Sequence, residues 1–242
     1  MKKDLIFLTV IICWLATSCV YYPRLTGIPL IKEKGDTRIE GGIGILAPSL
    51  QASFSQGATD KIAYQLSASI DPYGPGNRSG LYAQTAVGYY NNISDRNVIE
   101  FYGGLACGRS NAYQNANPGN VFGNYQVYFL QLNYGNIKKK KANLESGVGI
   151  KVGLLHSKMT DANYFFDPFD YPPNEPYSVY RMNGILFEPT AFLRFGGEKL
   201  KFWTALGASV YYQLNHTGKE LPANAPGFGM GVSYNFGGSK QN

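Results

Sequence analysis

From Asp36 to the carboxyl terminus, apolar and polar residues alternate with a period of two, the spacing of β-strands and not of helices. In 226–236, Phe228, Met230, Val232, Tyr234 and Phe236 alternate with Gly227, Gly229, Gly231, Ser233 and Asn235. In 201–213, Phe202, Leu206, Ala208, Val210 and Tyr212 alternate with Trp203, Ala205, Gly207, Ser209, Tyr211 and Gln213. In 141–153, Leu144, Val148, Ile150 and Val152 do the same against Gly, Asn, Glu and Lys. The pattern predicts ten strands at 37–46, 49–57, 61–71, 80–91, 97–109, 123–135, 141–156, 183–196, 200–214 and 226–237, with eight as the alternative count. Each reaches the roughly 9–11 residues that a tilted membrane strand needs, the second barely.

The connections sort by parity. Those after strands two, four, six and eight are short, and those after three, five, seven and nine are long, as in 110–122 and 157–182. An even strand count with short turns at one end and long loops at the other describes an antiparallel up-and-down transmembrane β-barrel, closed, with both termini on the periplasmic side. The charged residues share one face. Arg38, Glu40, Glu100, Glu145, Lys151, Glu188 and Arg194 fall on the Gly-rich side of their strands, whereas the apolar set on the opposite side, with Ile43, Leu66, Val87, Leu130 and Val148, contains no charge. A solvated sheet face is rarely Gly-rich, because Gly weakens strands. The Gly-rich face is therefore predicted to line a narrow lumen, crossed by ion pairs among those seven residues. A soluble lipoprotein barrel binding a small apolar ligand is the inside-out alternative.

Composition agrees with this class. Of 242 residues, 29 are Gly, 19 Tyr and 14 Phe, and only 16% are charged; Gly averages about 7% and charged residues about 25% in ordinary proteins. The mean hydropathy of -0.20 excludes a bundle of membrane helices. The formal charge is +6, without a basic stripe or nucleic-acid motif, so nucleic acid is excluded as a partner.

The amino terminus carries its own signal. Lys2 and Lys3 precede an apolar run from Leu5 to Leu15, too short to span a bilayer, and then small residues and Cys19. Leu15-Ala16-Thr17-Ser18-Cys19 resembles the lipobox of bacterial lipoproteins, with Ala16 where Leu is usual. Residues 1–18 are thus predicted to be a signal peptide, and Cys19 the lipidated first residue, carrying acyl chains of the palmitate type on the periplasmic side. Residues 19–36 are predicted as a periplasmic segment, 37–237 as the barrel and 238–242 as a tail. Cys107 then has no disulfide partner, and no zinc spacing or cofactor motif is present.

Several short motifs extend the resemblance along most of the chain. Tyr21-Tyr22-Pro23, Lys32-Glu33-Lys34-Gly35-Asp36 and Thr59-Asp60-Lys61-Ile62 resemble a family of small Bacteroidota outer-membrane β-barrel proteins with lipobox-type signals. Gly231-Val232-Ser233-Tyr234-Asn235-Phe236 is similar to the signal read by the barrel-assembly machinery, although it ends six residues before Asn242. The resemblance implies the fold, outer-membrane lipids as surroundings and the assembly machinery as partner. It implies no activity.

Candidate chemistry is sparse. His156, Ser157 and His216 fall at the long-loop ends of strands, near the acidic residues of 157–182, and an outer-rim hydrolase or lipid A-modifying enzyme would have to use them. The same loop packs Tyr164, Phe165, Phe166, Phe169 and Tyr171, a set that either caps the barrel or binds an envelope protein or surface glycan. The expectation is a non-enzymatic barrel with a structural or binding role.

Overall fold

Alternation over most of the sequence produces ten strands: β1 (Thr37–Gly44), β2 (Ser49–Gly57), β3 (Ile62–Gly74), β4 (Arg78–Asn92), β5 (Asn97–Gln114), β6 (Gly119–Lys138), β7 (Leu144–Asn163), β8 (Ser178–Gly196), β9 (Leu200–Gln213) and β10 (Ala225–Asn235). The structure, a computed structural model, describes residues 21–237 apart from 22, 26, 47, 75–77, 115–118, 139–142, 164–177 and 216–223. Every strand pairs antiparallel with its sequence neighbours, and β1 pairs with β10 from Arg38–Asn235 to Gly44–Gly229, which closes the barrel. The count is therefore ten, not eight, and no helix occurs among the described residues.

The largest departures from the expected boundaries lie at the long-loop end, whereas at the short-turn end β6 runs three residues further and β7 begins three residues later than expected. β5 to β8 run past their predicted long-loop ends, by as much as seven residues in β7, and the expected loops 110–122 and 157–182 shrink accordingly. The physical reason is that Ser157–Asn163 and Ser178–Met182 continue a hydrogen-bonded hairpin beyond the apolar belt, where no apolar face marks the strand. Within β8, Pro189 has no N–H to donate. The β8–β9 ladder skips Glu188 and Pro189 and resumes in the same register at Thr190–Gly207.

The apolar face points outward. Leu81, Val87, Leu105, Leu130 and Leu206 are each more than half exposed. Tyr89, Tyr134, Tyr234 and Phe236 ring the belt at the short-turn rim, and Tyr128 and Tyr212 mark its other end. Amphipathic rings at both edges of an apolar band suit a membrane interface. The opposite face points inward with Gly, Ser, Gln and the charged residues.

Glycine and aromatic residues are coupled across this inner face. Gly88 is the ladder partner of Tyr102, Gly104 of Phe129 and Gly108 of Tyr125. Each ring lies over the glycine opposite: a Cβ on Gly88 would meet Tyr102 Cδ1 at 2.3 Å and the Phe101 carbonyl at 2.4 Å. Covering a strand glycine with a neighbouring ring protects a weak point of the ladder. The surplus of Gly and that of Tyr and Phe are thus two halves of one packing device.

Gly88→Val should cost about 1–3 kcal/mol by overpacking against backbone as well as ring. Gly103→Ala should be close to neutral, because its nearest neighbour is Leu130 at 3.6 Å. The temperature at which the folded form loses its gel mobility reads both.

Candidate functional site

The lumen contains the chain's own amino-terminal segment. Tyr21, Pro23–Leu25 and Gly27–Ile31 are buried inside the barrel, within the stretch 19–36 expected as a periplasmic segment, and Glu33–Gly35 are exposed at the short-turn rim. An extended segment in an enclosed space must find partners for its backbone, and here the wall supplies them. Gln51 Oε1 accepts the Leu25 N–H at 3.0 Å, Glu100 Oε1 accepts the Ile31 N–H at 2.7 Å, and Gln131 Nε2 donates to the Gly27 carbonyl at 2.8 Å. Arg194 donates to the Ile28 carbonyl.

The segment runs the height of the apolar belt. At the short-turn rim, Gly35 N donates to Gly57 O at 2.8 Å and Gly57 N to Asp36 O at 2.9 Å. Asp36 also accepts the Lys32 N–H at 2.9 Å, and its carboxyl is pushed up by burial, partly offset by that bond. In the middle, Leu25, Ile28 and Leu30 pack with Val98, Ile137, Phe192 and Trp203. Leu30 holds a left-handed backbone (φ 55°), a strained state for a residue with a side chain. Its side chain is seated where a Cβ on Gly135 would be, within 2.4 Å. Towards the long loops, Arg24 makes a two-pronged contact to Asp71 at 2.8 and 3.3 Å and lies 4.9 Å from the Tyr82 ring. There Tyr21 packs edge-on to Tyr125 at 5.4 Å and donates to Glu188 Oε2 at 3.2 Å.

The seven charged residues expected in the lumen are all buried there. Glu145 is a hub: Arg38 donates to it at 2.6 and 3.2 Å, Lys201 at 2.6 Å and Arg194 at 3.3 Å. Arg194 also pairs with Glu40 at 2.7 Å, and Lys151 with Glu188 at 3.3 Å. Glu100 differs, since its neighbours are the Ile31 N–H and Asn133 Nδ2 at 2.9 Å rather than a cation. Arg24, Asp71 and Lys201 were not anticipated. The signal available for Lys201 was its parity, which it shares with Trp203 and Gly207 on the inner face. Between segment and wall, Arg24, Gln131, Lys151 and Glu188 border a cavity of about 20 Å³, room for one water.

Of the catalytic candidates, His156 and Ser157 do not face one another. His156 is exposed on the outer face of β7, with Nδ1 2.9 Å from Asn183 Oδ1. Ser157, its neighbour, points inward and donates to the Met182 carbonyl at 3.3 Å. Adjacent strand residues face opposite sides, so these two cannot act as a pair. His216, Cys19 and the aromatic stretch Tyr164–Tyr171 lie outside the described residues.

The hub makes a measurable claim. Glu145→Gln strands buried cations and should destabilise the barrel by about 3–5 kcal/mol. Glu100→Gln, which disturbs hydrogen bonds but no ion pair, should cost about 1 kcal/mol. Urea unfolding in detergent followed by tryptophan fluorescence ranks the two variants.

No protein-family model and no curated protein matches the chain in sequence. In structure it is similar to the outer membrane protease OmpT of Escherichia coli, with a TM-score of 0.55 at 8% identity, covering 84% of this chain and 94% of that one. The N-terminal beta-barrel domain of Pseudomonas aeruginosa OprF aligns at a TM-score of 0.35 and 16% identity, over 84% of this chain and 98% of that domain. At 8% identity the likeness to OmpT is one of architecture, and the architecture is that of a bacterial outer-membrane β-barrel.

Proposed function

We propose that this protein is an integral outer-membrane β-barrel closed by its own amino-terminal segment, and that it serves as an envelope scaffold or partner-binding surface. The observation that carries this reading is the filled lumen inside an outward-facing apolar belt. A pore needs a continuous water path, and Tyr21, Pro23–Leu25 and Gly27–Ile31 occupy that path with buried side chains, several of them bonded to the wall through their backbone. A soluble barrel with an apolar ligand inside needs the opposite arrangement of faces. A rim hydrolase draws no support from His156 and Ser157, which face opposite sides.

In this reading the short turns face the periplasm and the long loops face outward. The last strand, β10, and Phe236 just beyond it present Gly231–Phe236 to the barrel-assembly machinery, and the connection between β7 and β8, whose sequence holds Tyr164–Tyr171, is the surface for a protein or glycan partner. Cys19, a residue ahead of the described ones, keeps its expected lipid.

Membranes washed with carbonate should retain the protein, and in a planar bilayer the intact chain should give no steady current. Removing residues 21–32 should open discrete conductance steps while heat-modifiable gel mobility shows that the barrel still folds. A large steady current from the intact protein refutes the plug. Metabolic labelling with a fatty-acid analogue should mark the mature chain and be lost in Cys19→Ser.

A further inference from the structure

The outward face of the barrel is almost free of charge, and its exceptions are grouped. Of the described strand side chains that face outward, Arg109, Lys158 and Arg181 alone are charged. All three are cations, on β5, β7 and β8. The register places them in one row, with Arg109 opposite Asn124, Asn124 opposite Lys158, and Lys158 opposite Arg181. With about 4.8 Å between strands, the row spans about 15 Å, which long flexible side chains can close around a single group.

The row lies at a defined depth. One step nearer the belt are Gln126, His156 and Asn183, all exposed, and one step further are Tyr128, Leu154 and Ile185 of the belt itself. The cations thus stand just above the apolar edge on the long-loop side, where headgroups of the surrounding leaflet would lie. Lys158 and Arg181 are direct cross-strand partners, an arrangement that repels unless an anion sits between them. Among the described residues, no carboxylate is within ion-pair distance of any of the three.

We propose that Arg109, Lys158 and Arg181 form a binding site for the phosphate monoester headgroup of a lipid in the outer leaflet. Its acyl chains lie along Leu154 and Ile185, and Asn124 and Gln126 offer further hydrogen bonds to the headgroup. A monoester fits better than a diester because its second charge and third free oxygen match three donors. The proposal rests on the membrane reading above.

The test uses the full-length protein in phosphatidylcholine nanodiscs doped with phosphatidic acid, phosphatidylglycerol or neither, with retained lipid counted by native mass spectrometry after release. Phosphatidic acid should be retained selectively, and the triple variant Arg109→Gln/Lys158→Gln/Arg181→Gln should lose affinity on the order of a hundredfold, at about fivefold per basic residue. Lys199→Gln, in a turn on the opposite rim, should change nothing. Lys158→Glu should abolish retention yet raise the unfolding midpoint of the lipid-free barrel, because it turns a repulsion into an ion pair with Arg181. Equal retention of phosphatidylglycerol, unchanged retention by the triple variant, or displacement by inorganic phosphate alone would overturn the site. Failure of the wild-type chain to enter nanodiscs at all would sink the membrane reading as well.

Discussion

The ladder between β1 and β10 is the constraint on which the rest of the molecule depends. While it is open, two strands present unpaired N–H and C=O groups, which neither an apolar solvent nor a neighbouring chain leaves alone. Once Arg38–Asn235 through Gly44–Gly229 are paired, every strand has two neighbours and the sheet has an inside and an outside. Only then does a period-two sequence acquire meaning: one parity faces the belt and the other a confined space. Pro189 shows how much the closed ladder tolerates, since one missing donor interrupts β8–β9 locally without shifting the register.

The confined space sets its own rules. Isolated charges inside it would be costly, and they are instead clustered, three cations on Glu145 and two carboxylates on Arg194. Such clusters add little net stability over a well-packed apolar interior, but they make the loss of one member expensive. The amino-terminal segment completes the arrangement by supplying Arg24 to Asp71 and the Tyr21 hydroxyl to Glu188. Wall and segment are therefore one hydrogen-bonded unit, with the aromatic-over-glycine couples providing room for it.

Much of this was legible in the sequence. Parity alone assigned Arg38, Glu145, Lys151 and Arg194 to the inner face, because one strong pattern, an uncharged outer belt, forces the complementary one. Partners were not legible, since which cation meets Glu145 depends on barrel tilt rather than on strand identity. The upper parts of β5 to β8 were missed where the outer face ceases to be apolar and alternation loses its contrast. The amino-terminal segment was missed because Pro23, Pro29 and Gly27 break any period. Yet Leu25, Ile28, Leu30 and Ile31 are too apolar for a segment in water, and that was the available clue. Opposite facing of His156 and Ser157 followed from their adjacency in a strand.

The path of the described residues between Tyr21 and Asp36 also makes the molecule a ring with a thread through it. The thread continues covalently into β1 after Asp36 at the short-turn rim, and hydrogen bonds and the Arg24–Asp71 pair hold it to the wall along its length. Traction applied to the amino terminus from the long-loop side would draw that fixed end into the narrow interior and jam it. Once the bonds to the wall are broken, withdrawal of the described segment is open only toward the short-turn side. The barrel is in this sense a mechanical one-way fitting: it resists tension from one side of the sheet ring and yields to it from the other.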